Sequence, residues 1–130
     1  MVLRITVTSV PVGDQAKALT FYTETLGFVK KLDIPLGGEA RWLTAVSPAD
    51  PEGTQLLLEP NENPAGRTYQ KALFRQGIPV TSFSVDDLKR EHRRLTKLGV
   101  RFRTPPTKAG TAMIAVLEDT CGNLLQLHQA

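Results

Sequence analysis

Cysteine occurs once in this chain of 130 residues, at Cys121, so no disulfide can join two parts of it. A lone thiol fits a reducing compartment, and a cytoplasmic protein is expected. Histidine is almost as scarce, with only His92 and His128, so a nitrogen-rich zinc, iron or nickel site has few imidazoles to draw on. No apolar run approaches the roughly 18 residues that cross a bilayer, and the first residues lack the apolar core of a secretory signal. No membrane partner is expected. Gly37-Gly38 is not followed by the Lys-Ser/Thr of a phosphate-cradling loop, which argues against nucleotide use. No Ser, His and acid pattern stands out. The net charge is only +3, and much of it comes from Lys89, Arg90, Arg93, Arg94 and Lys97. Asp86, Asp87 and Glu91 dilute that run, and no aromatic side chains interleave with it to stack on bases. A solvated helix face is expected there, with no nucleic-acid partner.

What is present is an ordinary globular composition, 41% hydrophobic and 22% charged, at a length that suits one compact domain. Residues 5–28 read as strand, turn, helix and stop. Ile5, Val7 and Val10 belong to a β-branched run, Gly13-Asp14 supplies a turn and an N-cap, and Leu19, Tyr22 and Leu26 recur at helical spacing before Gly27. A second copy follows: Val85-Asp86-Asp87 opens a charged helical stretch that closes on Leu98-Gly99-Val100, as the first closes on Leu26-Gly27-Phe28. Two related halves are therefore expected, with module one at about 1–60, a linker at about 61–78 and module two at about 79–130.

Strands are expected over residues 3–10, with Pro11 at the exit, and over 28–34, 41–46 and 54–59 in the first half. The second half offers 79–84, 100–103, 112–118 and 123–128, with a helix over 87–98. Pro105 and Pro106 are expected to end the 100–103 strand, and 119–122 makes the last turn. Residues 65–77 show no clean period and read as a linker, with a short helix or a flap as alternatives.

Val12-Gly13-Asp14 with Phe21-Tyr22 and Leu26-Gly27-Phe28, then Val85-Asp86-Asp87 with Leu95 and Leu98-Gly99-Val100, then Asp119 with Gly122-Asn123-Leu124, together resemble the vicinal oxygen chelate superfamily. That superfamily includes glyoxalase I, extradiol dioxygenases and bleomycin-resistance proteins. The resemblance covers nearly the whole chain. It implies an α+β fold of two βαβββ modules, forming an eight-stranded, incompletely closed curved sheet with helices packed outside, often completed by a homodimer. It also implies four inward strand positions where metal-using members carry His and Glu ligands. Here those positions are Val7, Leu57, Val80 and Gln126, with Glu59 in place of Leu57 if the strand slips by two residues. No metal and no other cofactor is therefore expected.

Strand alternation assigns Ile5, Val7, Ser9, Gln55, Leu57, Glu59, Val80, Ser82, Ser84, Leu124, Gln126 and His128 to one cavity face. The mix is apolar with a few polar groups, which suits a small hydrophobic or amphiphilic molecule. Glu59, Gln126 and Arg41 would place hydrogen bonds, and Trp42, Tyr69 or Phe74 would stack. The alternatives are a metal-dependent lyase or dioxygenase with an atypical set including Glu59 and His128, metal-free acid-base chemistry by Glu59, or a structural or regulatory dimer with a filled cleft. His92 reads as the edge of its helix's apolar stripe. Cys121, with acidic Glu118 and Asp119 beside it, reads as a structural or incidental thiol.

Overall fold

The computed structural model describes all 130 residues. The chain divides into two compact units, Met1–Asn63 and Pro64–Ala130.

In the first unit, β1 (Val7–Val12) leads through Asp14 into α1 (Gln15–Thr20), and β2 (Val29–Pro35), β3 (Arg41–Val46) and β4 (Gln55–Pro60) follow. Asp14 caps the helix as expected: at φ −138° its side chain accepts from the Lys17 amide. The helix widens into a π turn over Phe21–Thr25. It ends at Gly27, whose φ of 95° favours glycine, while the Phe28 amide reaches back to the Tyr22 carbonyl at 3.0 Å. The sheet order is β1-β4-β3-β2, parallel only between β1 and β4. Val10, Val12, Leu43, Ala45, Leu56 and Leu58 are buried, as are Ala18 and Tyr22 of the helical segment. Burying a side chain of Leu58's size contributes about 1.5–3 kcal/mol.

The second unit opens with α2 (Pro64–Gln76) and continues through β5 (Thr81–Ser84), α3 (Leu88–Lys97), β6 (Phe102–Ala109), β7 (Ala112–Glu118) and β8 (Leu124–Gln129). Its sheet order, β5-β8-β7-β6, repeats that of the first unit strand for strand. So do its signals. Asp87 caps α3 at φ −139° by accepting from the Arg90 amide, and Gly99 at φ 89° follows the helix. Leu88 and Leu95, one apolar stripe of α3, are buried together with Ala115, Leu117, Leu125 and Leu127. His92 lies on that stripe's edge, its ring 4.6 Å from Phe102 in a T-shaped contact. The α+β reading and the repeat are both present, as two open four-stranded sheets.

Three local expectations change. Residues 64–76, read as a linker, form a helix of 13 residues. Pro64 occupies its first position, where a missing amide is harmless, and Gly77 follows it at φ 77°. Pro105 and Pro106 do not stop β6, which continues to Ala109. The strand lies at the sheet edge, and its register shifts between Thr104 and Thr107, so neither proline removes a needed ladder donor. Pro11 likewise sits inside the edge strand β1 rather than after it. β1 itself starts at Val7, and Met1, Val2, Leu3 and Ile5 before it are exposed.

Candidate binding faces of the two sheets

In each unit a helix packs on one side of the sheet, and the residues picked from the sequence fall mostly on the opposite face, called the open face for its exposed Ser9, Glu59 and Ser82, although Thr44, Leu57, Val116 and Leu124 on it are buried. In the first unit Val7 stands opposite Gln55, Ser9 opposite Leu57 and Pro11 opposite Glu59, and Thr44 stands opposite Leu57 on the other side. Directly opposed residues share a face, so Val7, Ser9, Gln55, Leu57, Glu59 and Thr44 lie on one surface, joined by Trp42 two residues from Thr44. Thr44 is fully buried. Its hydroxyl donates to Gln55 Oε1 at 2.6 Å and accepts from the Leu32 amide at 3.2 Å. Glu59 is exposed.

Arg41 does not belong to that surface. It precedes Trp42 on β3, and consecutive strand residues point to opposite faces. It stands on the side of buried Leu43, with Nη1 3.4 Å from Asp33 Oδ2. There it borders a hollow of about 550 Å³ together with Asp14, Gln15, Glu39 and Glu62. Gln15, which the sequence reading passed over, holds this end together through bonds to the backbone of Arg41 and Leu58.

In the second unit the parallel register sets Ser82 opposite Gln126 and Ser84 opposite His128. On the other side of β8, Val116 opposes Gln126 and Ile114 opposes His128. The open face thus carries Ser82, Gln126 and His128 among Val116, Ile114, Leu124 and Val80. Three polar side chains form a chain: Gln126 Nε2 donates to Ser82 Oγ at 3.1 Å, and Ser82 Oγ lies 3.0 Å from His128 Nδ1. Val80 is half-buried and tied by its amide to the Leu124 carbonyl at 2.9 Å.

Helix α2 is tied to the turn before β8. Its only buried residue is Gln70, whose Nε2 donates at 3.1 Å to both the Cys121 carbonyl and Asn123 Oδ1. Phe74 on the same helix lies beneath the Arg103 guanidinium, 4.7 Å from the ring centroid. Arg103 and Arg101 both approach Glu118, at 3.8 and 3.7 Å. Tyr69, one candidate stacking residue, is 61% exposed. Cys121 sits in the turn held by Asp119, its amide donating to Asp119 Oδ1 at 2.7 Å.

The four positions that the family resemblance assigns to metal ligands hold Val7, Leu57, Val80 and Gln126. Three have no donor atom, and the fourth is an amide already bonded to Ser82. No three His, Cys, Asp or Glu side chains are grouped as a metal ion would require. This set does not fit a nitrogen-and-carboxylate metal site. No helix is long and apolar enough to cross a membrane.

Comparison with known proteins agrees with the repeat and the topology. The chain is 56% identical over 127 residues to the uncharacterized protein YurT of Bacillus subtilis (strain 168), covering 98% of this chain and 99% of that one. The solved structure of UcmS2 superposes with a TM-score of 0.85 at 30% identity over the full length of both chains. TnmS3, an antibiotic binding protein from Streptomyces sp. CB03234, superposes with a TM-score of 0.77 at 29% identity, covering 98% of this chain and 96% of that one. The family model described as Glyoxalase/Bleomycin resistance protein/Dioxygenase superfamily matches residues 4–127; with the doubled strand order and the paired Asp-capped helices, the chain belongs to that superfamily.

Proposed function

We propose that this protein is a metal-free binding protein for a small hydrophobic or amphiphilic organic molecule, held on the open faces of its sheets. The observation that carries the reading is the Ser82–Gln126–His128 chain set among Val80, Leu124, Val116 and Ile114. A few fixed polar groups in an apolar surround orient a ligand, while the apolar contacts supply affinity. On the first unit Val7, Ser9 and Leu57 offer a similar surface, with Trp42 to stack and Glu59 as its charged group. The likeness to an antibiotic binding protein over nearly the whole chain supports the same class of ligand, and the donor set described above supports a site without metal. The setting proposed is cytoplasmic, in keeping with the single Cys121 thiol.

The working unit proposed is a homodimer. Met1 at 113%, Leu3 at 89% and Ile5 at 78% exposure form an apolar run leading into edge strand β1, which a second copy would cover. Light scattering on the purified chain should give twice the monomer mass, and a monomer at micromolar concentration rejects this part.

The binding reading is tested by a thermal-shift and calorimetric screen of aromatic and amphiphilic small molecules, alongside elemental analysis. Saturable one-to-one binding without metal is expected. Near one equivalent of zinc, nickel, manganese or iron per chain, with stabilisation on adding that metal, would instead favour a metal-dependent lyase or dioxygenase.

A further inference from the structure

Ser82, His128 and Gln126 have a second property, which concerns reactivity rather than recognition. The hydroxyl of Ser82 is exposed and lies 3.0 Å from His128 Nδ1, the relation of a nucleophile to its general base. An amide N–H, that of Gln126, lies 3.1 Å from the same oxygen. From there a side-chain amide also reaches an oxyanion that develops on a carbonyl carbon attacked by Ser82.

The repeated fold provides an internal control. By the offset that matches Val85 to Val12, Ser82 corresponds to Ser9. Ser9 stands opposite Leu57, with Glu59 two residues on, where Ser82 stands opposite Gln126, with His128 two residues on. The first unit folds to the same sheet order without this chain of groups. The fold does not demand it, and since Ser82 is exposed, it rescues no buried polar atom.

We propose that Ser82, His128 and Gln126 form an acyl-transfer centre acting on small carboxylic esters. With the imidazole proton on Nε2, Nδ1 is free to take the Ser82 proton as Oγ bonds to the ester carbonyl carbon. The carbonyl π pair moves onto oxygen, where the Gln126 amide donates to it. Collapse of the tetrahedral intermediate breaks the bond to the leaving alcohol, whose oxygen takes the proton from His128 Nδ1. An acyl-Ser82 remains. Water then repeats the sequence, giving its proton to Nδ1 and releasing the acid, with Ser82 reprotonated. The only co-reactant is water, and no oxidant or reductant is involved.

The test uses the purified full-length chain and two probes, a fluorophosphonate and p-nitrophenyl acetate. Mass mapping should find the phosphonyl group on Ser82 in native protein and not in heat-denatured protein. Ser82→Ala and His128→Ala should each lower p-nitrophenyl acetate turnover at least about a hundredfold, the low side of what a general base contributes. Added imidazole should restore part of the His128→Ala loss beyond its own reaction with the ester, and should not do so in the Ser82→Ala/His128→Ala double variant, a pattern that a merely structural role would not give. No native label on Ser82, or unchanged turnover in Ser82→Ala, overturns the proposal. The labelling arm needs no variant to fold and no ligand to be known. Ligand binding without labelling would therefore sink this inference and leave the binding reading standing.

Discussion

Gln15 grips the backbone of Arg41 from both sides: its Oε1 accepts from the Arg41 amide at 3.0 Å while its Nε2 donates to the Arg41 carbonyl at 2.7 Å. The same Nε2 donates to the Leu58 carbonyl at 2.7 Å. One helical side chain thus ties the start of β3 to the end of β4, beyond the paired residues Thr44, Ala45, Leu56 and Leu57. Gln15→Ala should cost about 1–3 kcal/mol in urea denaturation, because these part-buried backbone groups lose their partner. Gln15→Glu should be at least as harmful, since a carboxylate oxygen would then face two carbonyl oxygens. A Gln15→Glu variant as stable as the parent would show that the bridge contributes nothing.

Asp119 is the most enclosed charge in the chain, with no exposed surface. Its carboxylate accepts from the Cys121 amide, the Asn123 amide and Asn123 Nδ2 at 2.7, 2.9 and 2.8 Å. Asp119→Ala leaves these donors without their acceptor, and a loss of about 3–5 kcal/mol is expected. Gln70→Ala should act at one remove, loosening α2 from the turn. Amide hydrogen exchange is the measurement: Gln70→Ala should speed exchange in residues 64–76 far more than in α3, and equal change in both helices would refute the anchoring role.

The paired caps allow a comparison inside one molecule. Asp14 and Asp87 each accept from the amide three residues on at 3.1 Å, with backbone angles that nearly coincide. Each Asp→Ala change should cost about 1 kcal/mol, and the double variant about the sum, since the caps lie in different units. Chemical denaturation of the three variants checks both statements.

How much of this could be read beforehand depended on whether the signal was local. Caps, glycine stops and period-two strands are local, and Asp14, Gly27, Asp87, Gly99 and strands β3 and β7 stand where the residues put them. Helix α2 was hidden because its inward position is polar: Gln70 packs where an apolar residue would have completed a 3.6-residue period. Pro105 and Pro106 misled because a proline's cost depends on whether its strand is central or at the edge, which the strand order decides. The open-face residues were legible singly from alternation. That Ser82 bonds to both Gln126 and His128 was not, because the parallel β5–β8 register joins residues more than 40 positions apart. Chemistry alone groups Arg41 with Trp42, and strand alternation separates them.

That separation yields the sharpest test of where a ligand sits on the first unit. Trp42 shares its face with Thr44 and, through the β3–β4 register, with Leu57 and Glu59, whereas Arg41 pairs with Asp33 on the helix side. For any small molecule that the screen identifies on this unit, Trp42→Ala should weaken binding about tenfold or more, the usual loss when a contacting tryptophan is truncated. Arg41→Ala should leave affinity within about twofold and change mainly stability, by about 1 kcal/mol for a part-buried pair at 3.4 Å. Glu59→Gln separates two kinds of ligand: a cationic one should lose affinity, and a neutral one should not. Calorimetric titration of the three variants decides the matter. A large loss in Arg41→Ala with none in Trp42→Ala would move the site to the hollow beside α1 and away from the open sheet face.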